Sequence, residues 1–171
     1  LPWPGTWWMA VVREGRRPAV ERAGLRSAAA ALRFAELREA VWLRPANLDP
    51  DRLPTAAEIL AAQCHRFDVT AVDGEARPAD LWDLDAWAER ARQLQARLDH
   101  LVGRLEAGDT GALAPGFVLS ADVLRHFQAD PLLPDELLLP DWPGPALRHH
   151  YDRYDAAFRT LLRWWFASGP T

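Results

Sequence analysis

Ser120, Asp122 and His126 bring the three side-chain types of a serine hydrolase into one short segment. In such enzymes a histidine takes the proton of the serine hydroxyl, and a carboxylate orients that histidine. A nucleophilic serine of the common kind lies at a sharp Gly-x-Ser-x-Gly turn. Ser120 instead lies between Leu119 and Ala121, without glycines that could form an oxyanion hole. We therefore expect Ser120 to be a helix cap or a surface hydroxyl.

The histidines and the single cysteine are the other residues that commonly bind transition metals. Structural zinc sites place paired ligands about two to five residues apart, whereas Cys64-His65 and His149-His150 are adjacent pairs. The sequence also lacks a glycine-rich phosphate loop of the Walker or dinucleotide type. We therefore predict neither a metal site nor a cofactor, and we interpret the histidines as partly exposed helical residues: His65, His100, His126, His149 and His150.

Nine tryptophans form the most conspicuous chemical feature of the sequence. Large aromatic side chains usually serve core packing, and that is the first interpretation. The second is a ligand pocket between helices, in which aromatic walls enclose an apolar group and an arginine meets an anionic one. The candidate walls are Trp82, Trp87, Trp142, Tyr151 and Tyr154, and the candidate arginines are Arg125, Arg148 and Arg153.

The first half of the chain predicts the element order β-α-β-β-α-β. Residues 6–12 form an apolar run typical of a buried strand, residues 18–34 have helical spacing, and residues 35–38 and 40–44 resemble two short strands. Thr55 and Glu58 have capping-box spacing, which predicts a helix that begins there and carries Cys64 inward. Residues 67–71 alternate like a half-buried strand. This order is the ferredoxin-like split unit, a sheet with two helices on one face.

The second half is helical by pattern. One apolar seam recurs at steps of three and four up to Gly108, a second helix is expected within 115–128, and a last helix carries a similar seam. Prolines interrupt residues 130–145, which we interpret as a loop. Three such helices form a small bundle. The predicted fold is therefore α+β: a ferredoxin-like domain at 1–76, closed by Asp73-Gly74, and a helical domain at 77–171. The two long seams comprise Leu84, Trp87, Ala91, Leu94, Leu98, Leu101 and Leu105, then Leu147, Tyr151, Tyr154, Phe158, Leu161 and Trp165.

Composition limits the class of protein. The chain has 171 residues, is 49% hydrophobic, and carries 20 arginines against 24 acids for a net charge of −4. These values are those of a globular protein and exclude intrinsic disorder. No apolar run is long enough to span a membrane, and neither half has the basic face that DNA binding requires. We expect a reduced, cytoplasmic protein, and because the chain begins at Leu1 we expect it to be part of a longer one.

Several segments resemble the PaaX family of bacterial transcriptional regulators. The first half is similar to the middle domain of that family, and the helical half to its C-terminal domain. Two positions differ: Glu39-Ala40 stands where the family usually has a glycine, and Arg13-Glu14-Gly15 replaces an aspartate and proline. The matching segments are Trp7-Trp8-Met9-Ala10-Val11-Val12, Val41-Trp42-Leu43-Arg44-Pro45, Leu81-Trp82-Asp83-Leu84 and the proline-rich residues 130–144.

The resemblance implies the effector-sensing and dimerising region of a repressor of aromatic acid catabolism, with phenylacetyl-coenzyme A or a related acyl thioester as effector. It also implies a homodimer, and a winged-helix DNA-binding domain that has no counterpart in this chain. One alternative is a dimerisation or interaction module without a ligand. Another is a divergent nuclease, because the middle domain of the family is similar to the ferredoxin-like nucleases of CRISPR spacer acquisition. Arg13, next to the single remaining acid Glu14, opposes metal binding there, so we predict no enzyme activity.

Overall fold

The computed structural model describes residues 3, 5–70 and 77–169, which fall into two compact units. The sheet unit contains the described residues of 1–83 together with 131–138, and the bundle unit contains those of 84–130 and 139–171. The predicted turn at Asp73-Gly74 and the predicted boundary at 76 lie outside the described residues. The segment 131–138 thus belongs to the sheet unit although the chain on both sides of it belongs to the bundle unit.

The sheet unit contains four antiparallel strands in the order β2-β3-β1-β4. Their bounds are β1 Thr6–Val12, β2 Ala35–Arg38, β3 Val41–Pro45 and β4 Cys64–Thr70. Helix α1 (Ala19–Ala31) follows β1, and α2 (Pro54–Gln63) precedes β4. This is the predicted βαββαβ order, with the first strand central and β4 at one edge, and it confirms the ferredoxin-like prediction.

One face of the sheet packs against α1 and α2. Trp8, Ala10 and Val12 alternate with residues of the opposite face, as the period of a strand requires, and together with Trp42 and Cys64 they contact the buried residues of both helices. Leu25 and Ala29 of α1 and Leu60 of α2 supply the helical side of this core. Leu32 and Phe34, from the connection between α1 and β2, complete it. On the opposite face Trp7 is buried against the rings of Trp3 and Trp82.

The bundle unit consists of α4 (Leu84–Glu106), α5 (Leu113–Gln128) and α6 (Gly144–Ser168). Every predicted seam residue of α4 is buried, from Leu84 through Leu105. In α6, Leu147, Tyr154 and Leu161 are buried. Gly108 follows α4 at a φ of +78°, a conformation that glycine adopts without steric cost, so the helix ends near the predicted position.

Three local predictions were wrong. Helix α2 begins at Pro54, and its N-cap residue Leu53 makes no side-chain capping bond, so the predicted capping box of Thr55 and Glu58 does not start the helix. Strand β4 begins at Cys64, three residues before the predicted Phe67, because pairing with Val12 extends the sheet to that position. The predicted loop ends earlier, because α6 takes Pro145 into its first turn, where the missing amide hydrogen costs nothing. A short helix, α3 (Pro78–Leu81), precedes α4 in the chain.

Candidate functional site

Trp87 lies at the centre of an aromatic stack in the bundle unit. Its ring is 4.3 Å from that of His126 and 4.5 Å from that of Trp142, at interplanar angles of 21° and 15°. Trp87 Nε1 also donates to the His126 carbonyl at 3.3 Å. Trp87 therefore contacts both neighbouring rings directly, which is the arrangement of a packed core.

Further aromatic rings continue along α5 and α6. The ring of Tyr151 is 5.7 Å from Phe127 and 5.9 Å from Tyr154, and Tyr154 is 5.7 Å from Phe158. The hydroxyls of Ser120 and Tyr151 are hydrogen-bonded at 2.9 Å. The Tyr154 hydroxyl is buried without a hydrogen-bond partner among the described atoms, and burial raises the pKa of this group above its ordinary value.

The three predicted arginines of the bundle unit each pair with a carboxylate. Arg148 bonds to the buried Asp130 at 2.5 Å and lies over the Phe127 ring. Arg125 pairs with Asp122 at 2.8 Å. Arg153 pairs with Glu106 at 3.3 Å. A carboxylate within the chain already neutralises each guanidinium, so none has an unmatched charge to offer an anion.

The structure brings most of the predicted aromatic residues together in the bundle unit, whereas Trp82 is part of the sheet unit. Trp87 stacks on Trp142 and Tyr151 lies beside Tyr154, whereas Trp82 belongs to the sheet unit and stacks on Trp7 at 6.5 Å. Arg153 lines a cavity of about 670 Å³, whose other walls are α4 and α6 residues such as Leu105, Leu161 and Trp164. The assignment of the predicted residues to a ligand site stays a prediction.

The residues considered for catalysis have separate partners. Ser120 bonds to Tyr151, Asp122 pairs with Arg97 and Arg125, and His126 Nε2 is 3.1 Å from the Trp87 carbonyl. Burial lowers the pKa of His126, and the nearby Arg90 lowers it further, against the opposite effects of the Trp87 carbonyl and Asp130. The Ser-His contact of a hydrolase is therefore not formed.

Metal-binding side chains are not grouped in the described part of the chain. Among residues 3, 5–70 and 77–169 there is no cluster of three or more His, Cys, Asp or Glu side chains. His150 bonds to Asp99 at 2.7 Å, and Glu14 is exposed just beyond β1.

No helix within residues 3, 5–70 and 77–169 has the length and apolar content needed to cross a bilayer.

The sheet unit contains a cleft that our sequence-based predictions missed. It has a volume of about 550 Å³, within the range of small-molecule sites. Its walls come from β1, α2, β4 and the connection between α1 and β2. They include Trp8, Leu32, Phe34, Leu60, Arg13 and Arg66. Arg66 lies over the Trp8 ring with its guanidinium carbon 5.1 Å from the ring centroid. Arg66 lies two residues after the buried Cys64, on the same face of β4. This spacing is the sequence signal that could have indicated a charged residue beside the core.

A fully buried arginine lies next to this cleft. Arg44 of β3 donates to the carbonyls of Leu32 and Pro45 at 2.6 and 2.7 Å and to Asn47 Oδ1 at 2.6 Å. Asn47 in turn donates to the Leu132 carbonyl at 2.9 Å. Burial, with a smaller contribution from Arg33, lowers the pKa of Arg44 to about 10. A chain of hydrogen bonds therefore joins Leu32, a wall of the cleft, to the segment 131–138.

Comparisons with known proteins agree with this architecture. A family model described as the PaaX-like protein C-terminal domain matches residues 82–167. An uncharacterized protein of Mycobacterium tuberculosis, Rv0674, is structurally similar with a TM-score of 0.69 and 34% sequence identity. That similarity covers 94% of this chain and 63% of Rv0674, so the chain spans less than two thirds of its structural relative. Comparison with curated proteins gives no match. Because the family model matches half of the sequence, the chain belongs to the PaaX-like family.

Proposed function

We propose that this chain is the effector-sensing and dimerising region of a PaaX-like transcriptional repressor and that it acts in the cytoplasm without catalysis. The observation that carries the proposal is the match of residues 82–167 to the PaaX-like C-terminal domain. The effector is an aromatic or related acyl thioester of coenzyme A, as the family resemblance implies. DNA is bound by a winged-helix domain outside these 171 residues.

The charge distribution supports the assignment of DNA binding to another domain. A protein that neutralises several phosphates needs a basic face, whereas this chain has a net charge of −4. In the bundle unit, six arginines form ion pairs with carboxylates of the same chain, as Arg97, Arg125 and Arg153 illustrate. Contacts to an operator therefore require a different surface.

An effector can regulate DNA binding only if it binds the two conformations of the repressor with different affinity. A tenfold loss of operator affinity requires about 1.4 kcal/mol of coupling between the effector and DNA sites. Operators with two-fold symmetry are usually read by two-fold dimers, so the proposed repressor is a homodimer. Light scattering at micromolar concentration should give twice the 19.2 kDa mass of the chain.

Chromatin immunoprecipitation of the native gene product that contains this chain tests the regulatory role. We expect enrichment at a small number of promoters, and increased transcription from them after the gene is deleted. Addition of the acyl thioester to the purified gene product should release those promoter fragments in a mobility-shift assay. A native product that occupies no promoter, and whose deletion leaves transcription unchanged, would contradict the proposal.

A ligand-free interaction module is the second candidate function, and the directly packed aromatic cluster of Trp87, Trp142 and His126 favours it. Rings at van der Waals contact leave no room for an acyl group between them. Calorimetric titration of the 171-residue chain with phenylacetyl-coenzyme A separates the two candidates. Heat and thermal stabilisation support effector sensing, whereas their absence supports the interaction module.

A further inference from the structure

The cleft of the sheet unit has a cationic lining. Two arginines, Arg13 and Arg66, line it, and none of its lining residues is acidic. In the part of the chain that the structure describes, no carboxylate oxygen lies within ion-pair distance of either guanidinium. Asp68, the nearest acid beyond Arg66 on the same strand face, is not part of the lining. A net-acidic protein thus retains a carboxylate-free, cationic cleft.

The positions of these arginines result from the topology. Strand β4 is a sheet edge, and its first residue, Cys64, is covered by α2 whereas Arg66 is exposed. Arg66 is held over Trp8 by a cation–π contact. Arg13 follows β1 and donates to the Ala61 carbonyl of α2 at 3.3 Å. Both guanidinium groups keep further N–H donors available, since each has five.

The remaining walls are apolar. Leu32, Phe34 and Leu60 are buried core residues whose surfaces also border the cleft, and Trp8 is half-buried beside them. An apolar site with a few polar groups at its margin is the usual composition of a small-molecule pocket. Flat hydrocarbon surface fits the aromatic wall, and a negative group fits the guanidinium donors.

We propose that this cleft binds a small organic anion that combines a flat apolar body with a negatively charged group. The apolar body lies against Trp8 and Phe34, and Arg13 and Arg66 donate hydrogen bonds to the anion. This inference deepens the proposed function and rests on it in one respect: as the effector site of the regulator, the cleft lies in the sheet unit and not among the bundle aromatics. A bound molecule contacts Leu32, whose carbonyl accepts from Arg44.

A pair of fluorescent probes that differ in charge tests the proposal on the 171-residue chain. The anionic probe is 1-anilinonaphthalene-8-sulfonate, and N-phenyl-1-naphthylamine is its uncharged counterpart. We expect the sulfonate to bind more tightly than the neutral probe. The double variant Arg13→Gln, Arg66→Gln should weaken sulfonate binding about tenfold, the effect of losing charge-assisted hydrogen bonds, and should leave neutral-probe affinity within about twofold.

Two further variants separate the cleft from other surfaces. Arg92→Gln removes an exposed arginine of α4 and should leave both affinities unchanged. Ala61→Phe places a ring at the exposed rim of the cleft and should weaken binding of both probes, with circular dichroism and melting temperature confirming the fold. Sulfonate affinity that is undetectable, or unchanged in both the double variant and Ala61→Phe, would overturn the proposal. Promoter occupancy by the native product would be unaffected by that result, so the two failures are distinguishable.

Discussion

Trp87 and His126 are joined by two hydrogen bonds, each from a side chain to the other residue's backbone carbonyl, and by stacking of their rings. Trp87 Nε1 donates to the His126 carbonyl at 3.3 Å, His126 Nε2 lies 3.1 Å from the Trp87 carbonyl, and the rings stack at 4.3 Å. Because a carbonyl only accepts, the Nε2 nitrogen of His126 carries the hydrogen. This reciprocal pair joins α4 to α5 and fixes His126 in a buried position.

Stability should decrease in mild acid because of His126. Burial and Arg90 lower the pKa of this histidine in the folded state. In the unfolded chain the pKa of histidine is about 6.5, so at about pH 5 to 6 the unfolded state binds more protons than the folded state. The contribution of neutral His126 to the free energy of unfolding is complete above the pKa of the unfolded state. It is lost as the pH falls toward the lowered pKa of the folded state. Chemical denaturation between about pH 5 and 8 measures this slope.

The pH slope should depend on His126 specifically. His126→Gln lowers stability at all pH values but should flatten this part of the slope. His100→Gln, at an exposed site on α4, should keep the wild-type slope. An equal slope in wild type and His126→Gln would show that another group is responsible.

Truncation of Trp87 should destabilise the bundle unit strongly. The side chain is 7% exposed and stacks on two rings, so Trp87→Ala should cost about 3–5 kcal/mol of unfolding free energy. Trp164 is 56% exposed on α6, and Trp164→Ala should cost about 1 kcal/mol or less. Urea denaturation monitored by circular dichroism compares the two. Similar losses in both variants would contradict the packing role of Trp87.

Two helical glycines should respond oppositely to alanine. A Cβ at Gly116 of α5 would lie 3.0 Å from the Tyr154 hydroxyl and from the Phe158 ring, so Gly116→Ala should cost about 1–3 kcal/mol through overpacking. A Cβ at Gly103 of α4 meets nothing within 4 Å. Gly103→Ala should therefore gain about 0.5–1 kcal/mol, because alanine loses less backbone entropy in a helix. Melting curves of the two variants should shift in opposite directions.

Removal of the Asn47 side chain should loosen the segment 131–138. Asn47→Ala leaves one Arg44 donor unsatisfied and removes one hydrogen bond to the Leu132 carbonyl, at a cost of about 1–3 kcal/mol. Hydrogen–deuterium exchange should accelerate in peptides that cover 131–138. Gln128→Ala, at an exposed site of α5, is the control and should leave that exchange unchanged. Equal exchange in both variants would mean that other contacts hold the segment.

The sequence predicted the elements with the strongest periodicity. All seven predicted seam residues of α4, from Leu84 to Leu105, are buried, because a long amphipathic helix has one energetically favourable way to face a core. The β-α-β-β-α-β order was also predictable, since apolar runs and breakers such as Pro45 mark the strand ends. These features depend on residues near each other in the chain.

Local patterns failed where partners distant in the sequence decided the outcome. Cys64 has helical neighbours on one side, yet pairing with Val12 makes it the first residue of β4. Trp82 and Trp87 lie close in the sequence, yet the first stacks on Trp7 of the sheet unit and the second on His126 and Trp142 of the bundle unit. Spacing along the chain does not contain these partners.

By itself, the sequence determined the ferredoxin-like order, the helical seams, the family resemblance and the acidic balance, because hydrophobic period and composition are local or additive properties. Only the tertiary structure decided which charges remain unmatched. Arg153 is paired with Glu106, whereas Arg13 and Arg66 meet no carboxylate among the described residues, and this difference places the cationic cleft in the sheet unit. The physical reason is that Coulomb attraction and desolvation depend on distances and burial that the chain acquires only on folding.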